Sequence, residues 1–308
     1  MKSLFITDTF SNLNVKKDTS ILMMEEVMHL GNNAYQCEIN DLFIKKGLVY
    51  STASEIISTN KLGKKSEIAL SKFQYAFMRK DPPVDENYIN ALHLLGLAEN
   101  KGAVIHNRPG AIKEFNEKIF AVHFPEFIPD TLVSSKISEI KKFYSSHKEI
   151  IIKPLDGMGG TSIFKINDLN TESLNIIKDL TNSEETQIIC QEFIEDIYEG
   201  DFRILIINGK PFQKTLARVP QSGSFKGNLA AGGTGVAKDI TDFQKTIGKE
   251  IGSILIKNGI SFAGIDIIGD YITEINVTSP TGIREIKSYD SVAIEEIFWN
   301  FIENKLSF

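Results

Sequence analysis

Lys153-Pro154-Leu155-Asp156-Gly157-Met158-Gly159-Gly160-Thr161 is the stretch on which the fold turns. Three glycines in four positions let backbone N–H groups approach an anion, because no Cβ stands in the way. Lys153 sits at the mouth of the loop, where its ammonium can reach a phosphate. Glu149-Ile150-Ile151-Ile152 before it and Thr161-Ser162-Ile163-Phe164-Lys165-Ile166 after it read as strands. A strand–loop–strand setting excludes a P-loop, which runs into a helix and ends in Gly-Lys-Ser/Thr. It excludes a dinucleotide fingerprint for the same reason. A glycine-rich hairpin without a ligand has the same local pattern, so a ligand has to be argued from the rest of the chain.

The chain has 308 residues, 42% hydrophobic and 24% charged. That is a soluble globular composition with room for two or three domains. Thirty-four basic residues against 40 acidic ones give a net charge of −6. Nucleic acid and anionic membrane surfaces select basic faces, so neither is an expected partner. The two cysteines, Cys37 and Cys190, lie in apolar runs and read as buried, reduced thiols, which suits the cytosol. The five histidines show no metal-ligand spacing, so zinc is not expected. Met1 to Asp8 is too short an apolar run for a signal peptide and reads as a first strand; no stretch reaches membrane-spanning length. The expected location is cytoplasmic.

Around this loop the chain reads as α/β. After the first strand, Ile21, Leu22, Met24, Val27 and Met28 are spaced for one buried helix face, with Asp18 or Thr19 as N-cap and Gly31 as C′ residue. Residues 34–40 and 42–50 read as further strands. A strand over 72–78 ends at Arg79-Lys80-Asp81-Pro82-Pro83, placing Arg79 at a carboxyl edge where open sheets bind ligands. A helix over 86–100, a strand over 103–106 and a helical stretch over 112–120 follow, the last carrying Asn116-Glu117-Lys118. Residues 125–129 mark a boundary. Beyond it lies a small α/β unit with the glycine loop and a strand over 187–194. Asp201 to Ile207 is a strand turning at Asn208-Gly209 into a partner over 212–219. A terminal helix over 291–306 presents Ile294, Ile297, Phe298, Phe301 and Ile302 for core or subunit contact.

Two further segments carry chemistry. Pro220 to Gly235 is long, polar and rich in glycine between ordered runs, which suits a lid that excludes water. Phe262 to Val277 is a hairpin with Glu274 and Asn276 on one face, as i and i+2. Asp266 lies on the partner strand. A two-residue Gly269-Asp270 turn with regular pairing would put Asp266 opposite Thr273. A three-residue turn or one bulge would put it opposite Glu274, as a common site requires. Two carboxylates and an amide oxygen are hard ligands suited to Mg²⁺ or Mn²⁺ bridging nucleotide phosphates.

At these residues the sequence resembles the bacterial glutathione synthetases of the ATP-grasp superfamily. The likeness runs nearly end to end. It includes Asn14 to Asp18, Met78 to Pro83, Asn116 to Lys118, Lys153 to Gly160, Gly227 to Gly233, Gly264 to Asp270, Thr273 to Thr281 and Ile283 to Ile286. The resemblance implies an N-terminal open α/β substrate domain (1–118), a central ATP-grasp subdomain (119–200) and a C-terminal ATP-grasp subdomain (201–308), the ATP-grasp part with α+β character.

By that resemblance Lys118, Lys153, Gly157, Met158, Gly159 and Gly160 hold ATP phosphates. Gln191, Glu192, Phe193 and Ile194 line the adenine, and Asp201 reaches the ribose. Asp266, Glu274 and Asn276 hold Mg²⁺ or Mn²⁺. Arg203 and Arg218 face the reacting carboxylate. Asp18, Ser20, Arg79, Asn228, Ser279 and Thr281 contact substrate, and Gly223, Lys226, Gly227, Gly232 and Gly233 belong to the lid. The implied activity is ATP-dependent ligation of γ-glutamylcysteine and glycine through an acyl phosphate, with another ATP-grasp carboxylate–amine ligase as the alternative. The implied partners are these small molecules and further copies of the chain, as a dimer or tetramer. Lys226 and Gly282 depart from the family pattern, which has arginine and cysteine there.

Overall fold

A computed structural model describes residues 1–160, 162–290 and 293–303, with the side chains of 230, 289 and 290 also outside the description. Thr161, the end of the glycine loop, therefore lies outside it, as do positions 291, 292 and 304–306 of the expected terminal helix.

The first part is built on a parallel βαβ unit. Strand β1 (Lys2–Ile6), helix α1 (Thr19–His29) and strand β2 (Asn33–Cys37) follow in order, and β2 lies parallel to β1. Asp18 is the N-cap of α1: its carboxylate accepts from Ser20 N at 2.6 Å and Ile21 N at 3.1 Å. The expected strand over 42–50 is instead a hairpin, β3 (Leu42–Lys45) and β4 (Leu48–Ser58). Lys46 and Gly47 both take positive φ at its tip, and Lys-Gly is a weaker turn signal than Asn-Gly. Strand β5 (Lys61–Ala69) pairs β4, and β6 (Tyr75–Met78) lies parallel to β1 on the side away from β2. Helix α2 (Glu86–Glu99), strand β7 (Ile105–His106) and helix α3 (Pro109–Glu114) complete this part. The sheet order is β3-β4-β2-β1-β6-β7, with β5 on β4. Strand order reverses at β1, so the carboxyl ends of β1 and β6 form a switch point of the kind that holds ligands.

The expected helix over 112–120 ends early. Asn116 Oδ1 accepts from Lys118 N at 3.1 Å and Ile119 N at 3.0 Å. This Asx-type turn gives the backbone a local alternative to helix. Asn116-Glu117-Lys118 therefore sits on a turn, projecting three side chains in different directions.

The middle part is an antiparallel sheet in the order β10-β9-β11-β8, formed by β8 (Thr131–Ser134), β9 (Ile150–Pro154), β10 (Phe164–Ile166) and β11 (Ile188–Glu192), with α4 (Ile137–His147) and α5 (Thr171–Leu180). It has its own core of Ile140, Ile150, Ile152, Ile166, Ile177 and Ile188. The glycine loop joins β9 to its antiparallel neighbour β10, the strand–loop–strand setting read from the sequence.

The last part is a second antiparallel sheet, β14-β13-β12-β15-β16. Its strands are β12 (Asp201–Ile207), β13 (Lys210–Val219), β14 (Thr234–Asp239), β15 (Phe262–Ile268) and β16 (Tyr271–Asn276), with helix α6 (Asp242–Lys257) between β14 and β15. Helices α7 (Ile283–Asp290) and α8 (Ile294–Ile302) follow. Ile294, Phe298 and Ile302 of α8 are buried in one cluster with Ile21, Met24 and Phe77 of the first part. Burying such side chains contributes roughly 1.5–3 kcal/mol each. The apolar face of α8 is thus core, and it welds the last part to the first.

Candidate active site

The hairpin β15–β16 meets the condition set by its acids. Gly269-Asp270 is a two-residue turn between Ile268 and Tyr271, and Ile267 pairs Ile272. The register then slips: Asp266 pairs Glu274 and Gly264 pairs Asn276. Thr273 is the extra residue of a bulge. The bulge, rather than a longer turn, brings Asp266, Glu274 and Asn276 to one face. Thr273 also turns its carbonyl toward Lys153, whose Nζ donates to it at 3.3 Å.

Sheet register places the arginines too. Arg203 stands opposite Asp266, and Arg218 stands opposite Asp201. Arg203 grips Asp266 bidentately, Nε to Oδ1 at 2.7 Å and Nη2 to Oδ2 at 2.6 Å. Arg218 Nη2 lies 2.9 Å from Asp266 Oδ2 and 2.6 Å from Asp201 Oδ2. All four side chains are buried. Burial by itself would raise the Asp266 carboxyl, but the two guanidiniums overcome it and hold the group well below the usual carboxylate range. Burial prevails at Asp201, whose carboxyl is raised despite Arg218. Its Oδ1 is buried and forms no hydrogen bond to the described residues.

The 116–118 turn ties the parts together. Asn116 Nδ2 donates to Leu155 O at 3.2 Å. Lys118 Nζ donates to Gly157 O at 2.7 Å and Glu274 Oε1 at 3.0 Å. Glu117 Oε1 accepts from Val277 N at 2.8 Å, Thr278 N at 2.9 Å and Thr278 Oγ1 at 2.8 Å. Burial and then the nearby Glu274 raise the Glu117 carboxyl. Burial lowers the Lys153 ammonium, partly countered by Glu274.

Two cavities meet here. The first is narrow, with apolar walls from Ile151, Ile163, Ile197 and Ile268, and it receives Gln191 to Ile194, Lys153, Asp201, Lys226 and Gly227. The second, of about 240 Å³, receives Arg203, Arg218, Asn276, Met158, Ser279 and Thr281. Asn228 of the lid and Glu274 line both. The lid also touches the glycine loop. Gly160 has φ +78°, and a Cβ there would stand 2.7 Å from Asn228 Oδ1. Only glycine fits both that backbone and that approach.

Some expected residues lie elsewhere. Arg79 is buried and lines a separate small cavity with Phe77, His106 and Phe262, donating from Nε to Ser20 Oγ at 3.0 Å and from Nη2 to Pro280 O at 2.9 Å. Asp18 caps α1 and offers its carbonyl to Arg284 Nε at 3.1 Å. Neither Asp18, Ser20 nor Arg79 lines the second cavity, and Gly223, Gly232 and Gly233 line neither. Conversely, Asp81, Glu117 and Thr278 line the second cavity, though only their neighbours stood out in the sequence. Their signal was adjacency: Asp81 and Glu117 sit in the same short runs as Arg79 and Lys118.

Among the described residues, no cluster of three or more His, Cys, Asp or Glu side chains forms a metal cage. The candidate set is two carboxylates and one amide, all hard oxygens, opposed by Arg203, Arg218 and Lys118. That set suits a cation sharing its coordination with ligand phosphates rather than one enclosed by protein.

Comparison with known proteins covers nearly the whole chain. Residues 1–113 match the prokaryotic glutathione synthetase N-terminal domain, and residues 117–291 match its ATP-grasp domain. The glutathione synthetase of Vibrio parahaemolyticus is 40% identical over 307 residues, covering 98% of this chain and 97% of that one. That of Nitrosomonas europaea is 40% identical, covering 100% and 99%. Among solved structures, a D-cycloserine synthetase superposes with a TM-score of 0.70 over 99% of both chains at 12% identity. A macrocyclase from Microcystis aeruginosa, bound to its precursor peptide, gives 0.66 over 99% of this chain and 100% of that one at 15% identity. At such identities these two establish the ATP-grasp fold alone.

Proposed function

The chain belongs to the prokaryotic glutathione synthetase family, and from that membership we propose how its residues divide the work. The protein is an ATP-dependent ligase of glutathione synthesis. It joins γ-glutamylcysteine to glycine, with ATP as co-substrate and Mg²⁺ as metal.

The observation that carries the site assignment is the bulge at Thr273, which puts Asp266 and Glu274 face to face beside two buried arginines. ATP occupies the narrow cavity, its adenine against Gln191 to Ile194, a ribose hydroxyl donating to Asp201 Oδ1, and its phosphates at Lys118, Lys153 and the loop from Gly157 to Gly160. The oxygens of Asp266, Glu274 and Asn276 would hold the metal, which would supply charge neutralisation on the phosphates.

The dipeptide occupies the larger cavity with its cysteinyl carboxylate at Arg203 and Arg218. A carboxylate oxygen attacks the γ-phosphorus, ADP leaves, and an acyl phosphate forms. The glycine amine then attacks the acyl carbon and inorganic phosphate leaves with the bridging oxygen. The same guanidiniums neutralise first the carboxylate and then the developing oxyanion. The lid, seated on the glycine loop through Asn228, keeps water from the acyl phosphate.

We take 1–118, 119–200 and 201–308 as the three functional units, each bearing one sheet. Among the described residues no helix is long and apolar enough to cross a membrane. A cytoplasmic location and a homo-oligomer belong to the proposal by family analogy. The test is phosphate release: it should require γ-glutamylcysteine and glycine together. Equal release with D-alanine or glutamate-terminated peptides would favour a different carboxylate–amine ligase.

A further inference from the structure

We propose that Asp81 takes up the free α-ammonium of the γ-glutamyl residue, and so makes the site specific for a dipeptide that carries that amine. The inference rests on the substrate reading above and adds a residue to it.

Three acids line the larger cavity: Asp81, Glu117 and Glu274. Two are already satisfied by the protein. Glu117 gathers three donors from Val277 and Thr278, and Glu274 is bound to Lys118. Asp81 differs. Its side-chain partner is the hydroxyl of Ser279, and among the described residues it forms no ion pair. Its backbone is fixed, with Asp81 N donating to Asp8 Oδ2 at 3.0 Å at the sheet's switch point. Loss of water holds its carboxyl above the usual value, against the pull of Ser279 and Arg79. An entering cation would relieve that cost.

Apart from the metal, which the reading above gives to Asp266, Glu274 and Asn276, the ligands offer few cations. ATP is anionic. Glycine has to present a neutral amine to attack, so a carboxylate that favours its ammonium form would slow the reaction. The dipeptide carries one cation, the ammonium left free by the γ-linkage. The cavity is polarised to match: guanidiniums from β12 and β13 for the reacting carboxylate, and for the amine a carboxylate from the loop after β6 that forms no ion pair among the described residues.

The test compares γ-glutamylcysteine with glutarylcysteine, the same molecule without the amino group, in the wild type and in Asp81→Asn. Asparagine keeps an acceptor for Ser279. The wild type should show a KM for glutarylcysteine roughly 10- to 100-fold above that for γ-glutamylcysteine, the range for losing one charge-assisted hydrogen bond. Asp81→Asn should raise the KM for γ-glutamylcysteine to about the same level and leave those for glutarylcysteine, ATP and glycine within about twofold. An equal rise for both dipeptides would show a structural role and overturn the proposal. A rise confined to glycine would reassign Asp81 to the other substrate and overturn it as well. A wild type inactive with γ-glutamylcysteine would overturn the substrate reading beneath it.

Discussion

Glu274 stands directly opposite Asp266 across β15 and β16, set there by the single extra residue Thr273. The bulge places Glu274 between Asp266 and the Lys118 ammonium, 3.0 Å from the latter. Glu274→Gln keeps the shape and removes the charge. Turnover should fall at least roughly 100-fold, and stability should fall as well, because the buried Lys118 ammonium loses its partner. Steady-state rates at saturating ATP and metal check this; an unchanged rate would remove Glu274 from the metal set.

The hairpin also marks how far sequence reading reached. Asp266, Glu274 and Asn276 stand out in the sequence as candidate oxygen ligands, and a common face for them requires a bulge or an odd turn, which the register supplies. The pattern is the same for either; in the fold it is the bulge, with Thr273 as the extra residue and its carbonyl accepting from Lys153, 120 residues earlier in the chain. The glycine loop was legible because its glycines and flanking strands are local signals. Asp81 and Glu117 were not, because their roles arise from what surrounds them: Glu117 acts through Val277 and Thr278, Asp81 through Ser279. The sequence predicts helix through 116–118 because the Asx-type bonds of Asn116 leave no trace in apolar periodicity.

Gly160→Ala should strain a backbone at φ +78° and push against Asn228. The lid would then seat poorly on the glycine loop. The KM for ATP should rise and kcat should fall, and ATP hydrolysis uncoupled from peptide formation should increase as water enters. Measuring ADP against glutathione produced checks the coupling; a ratio staying at one would contradict the lid contact.

Asp266→Asn removes the shared counter-charge of Arg203 and Arg218, leaving Arg218 with Asp201 and Arg203 with a neutral partner. Breaking a buried pair of this kind costs about 3–5 kcal/mol. Chemical denaturation should show that loss, and activity should be lost as well. Full stability in the variant would contradict a buried charge network.

His106 packs against Phe77 between the first and last parts, and burial lowers its pKa to about 4. The folded state therefore favours the neutral ring. Its contribution to stability is complete above the unfolded value of about 6.5 and is lost as pH falls toward 4, at up to about 1.4 kcal/mol per pH unit. Raised carboxyls at Asp81, Glu117 and Asp201 oppose this trend, so the informative quantity is a difference. Between pH 6.5 and 4, His106→Gln should lose stability less steeply than the wild type. Parallel curves would contradict a neutral buried histidine.

The most direct measurement follows oxygen. γ-Glutamylcysteine labelled with ¹⁸O in its cysteinyl carboxylate is incubated with ATP, Mg²⁺ and glycine, and the products are read by mass spectrometry. If Arg203 and Arg218 present that carboxylate to the γ-phosphate, each glutathione formed is accompanied by one ADP and one inorganic phosphate carrying a single ¹⁸O. Glutathione formed with unlabelled phosphate, or a stable phosphorylated product in place of the peptide, would contradict activation through an acyl phosphate.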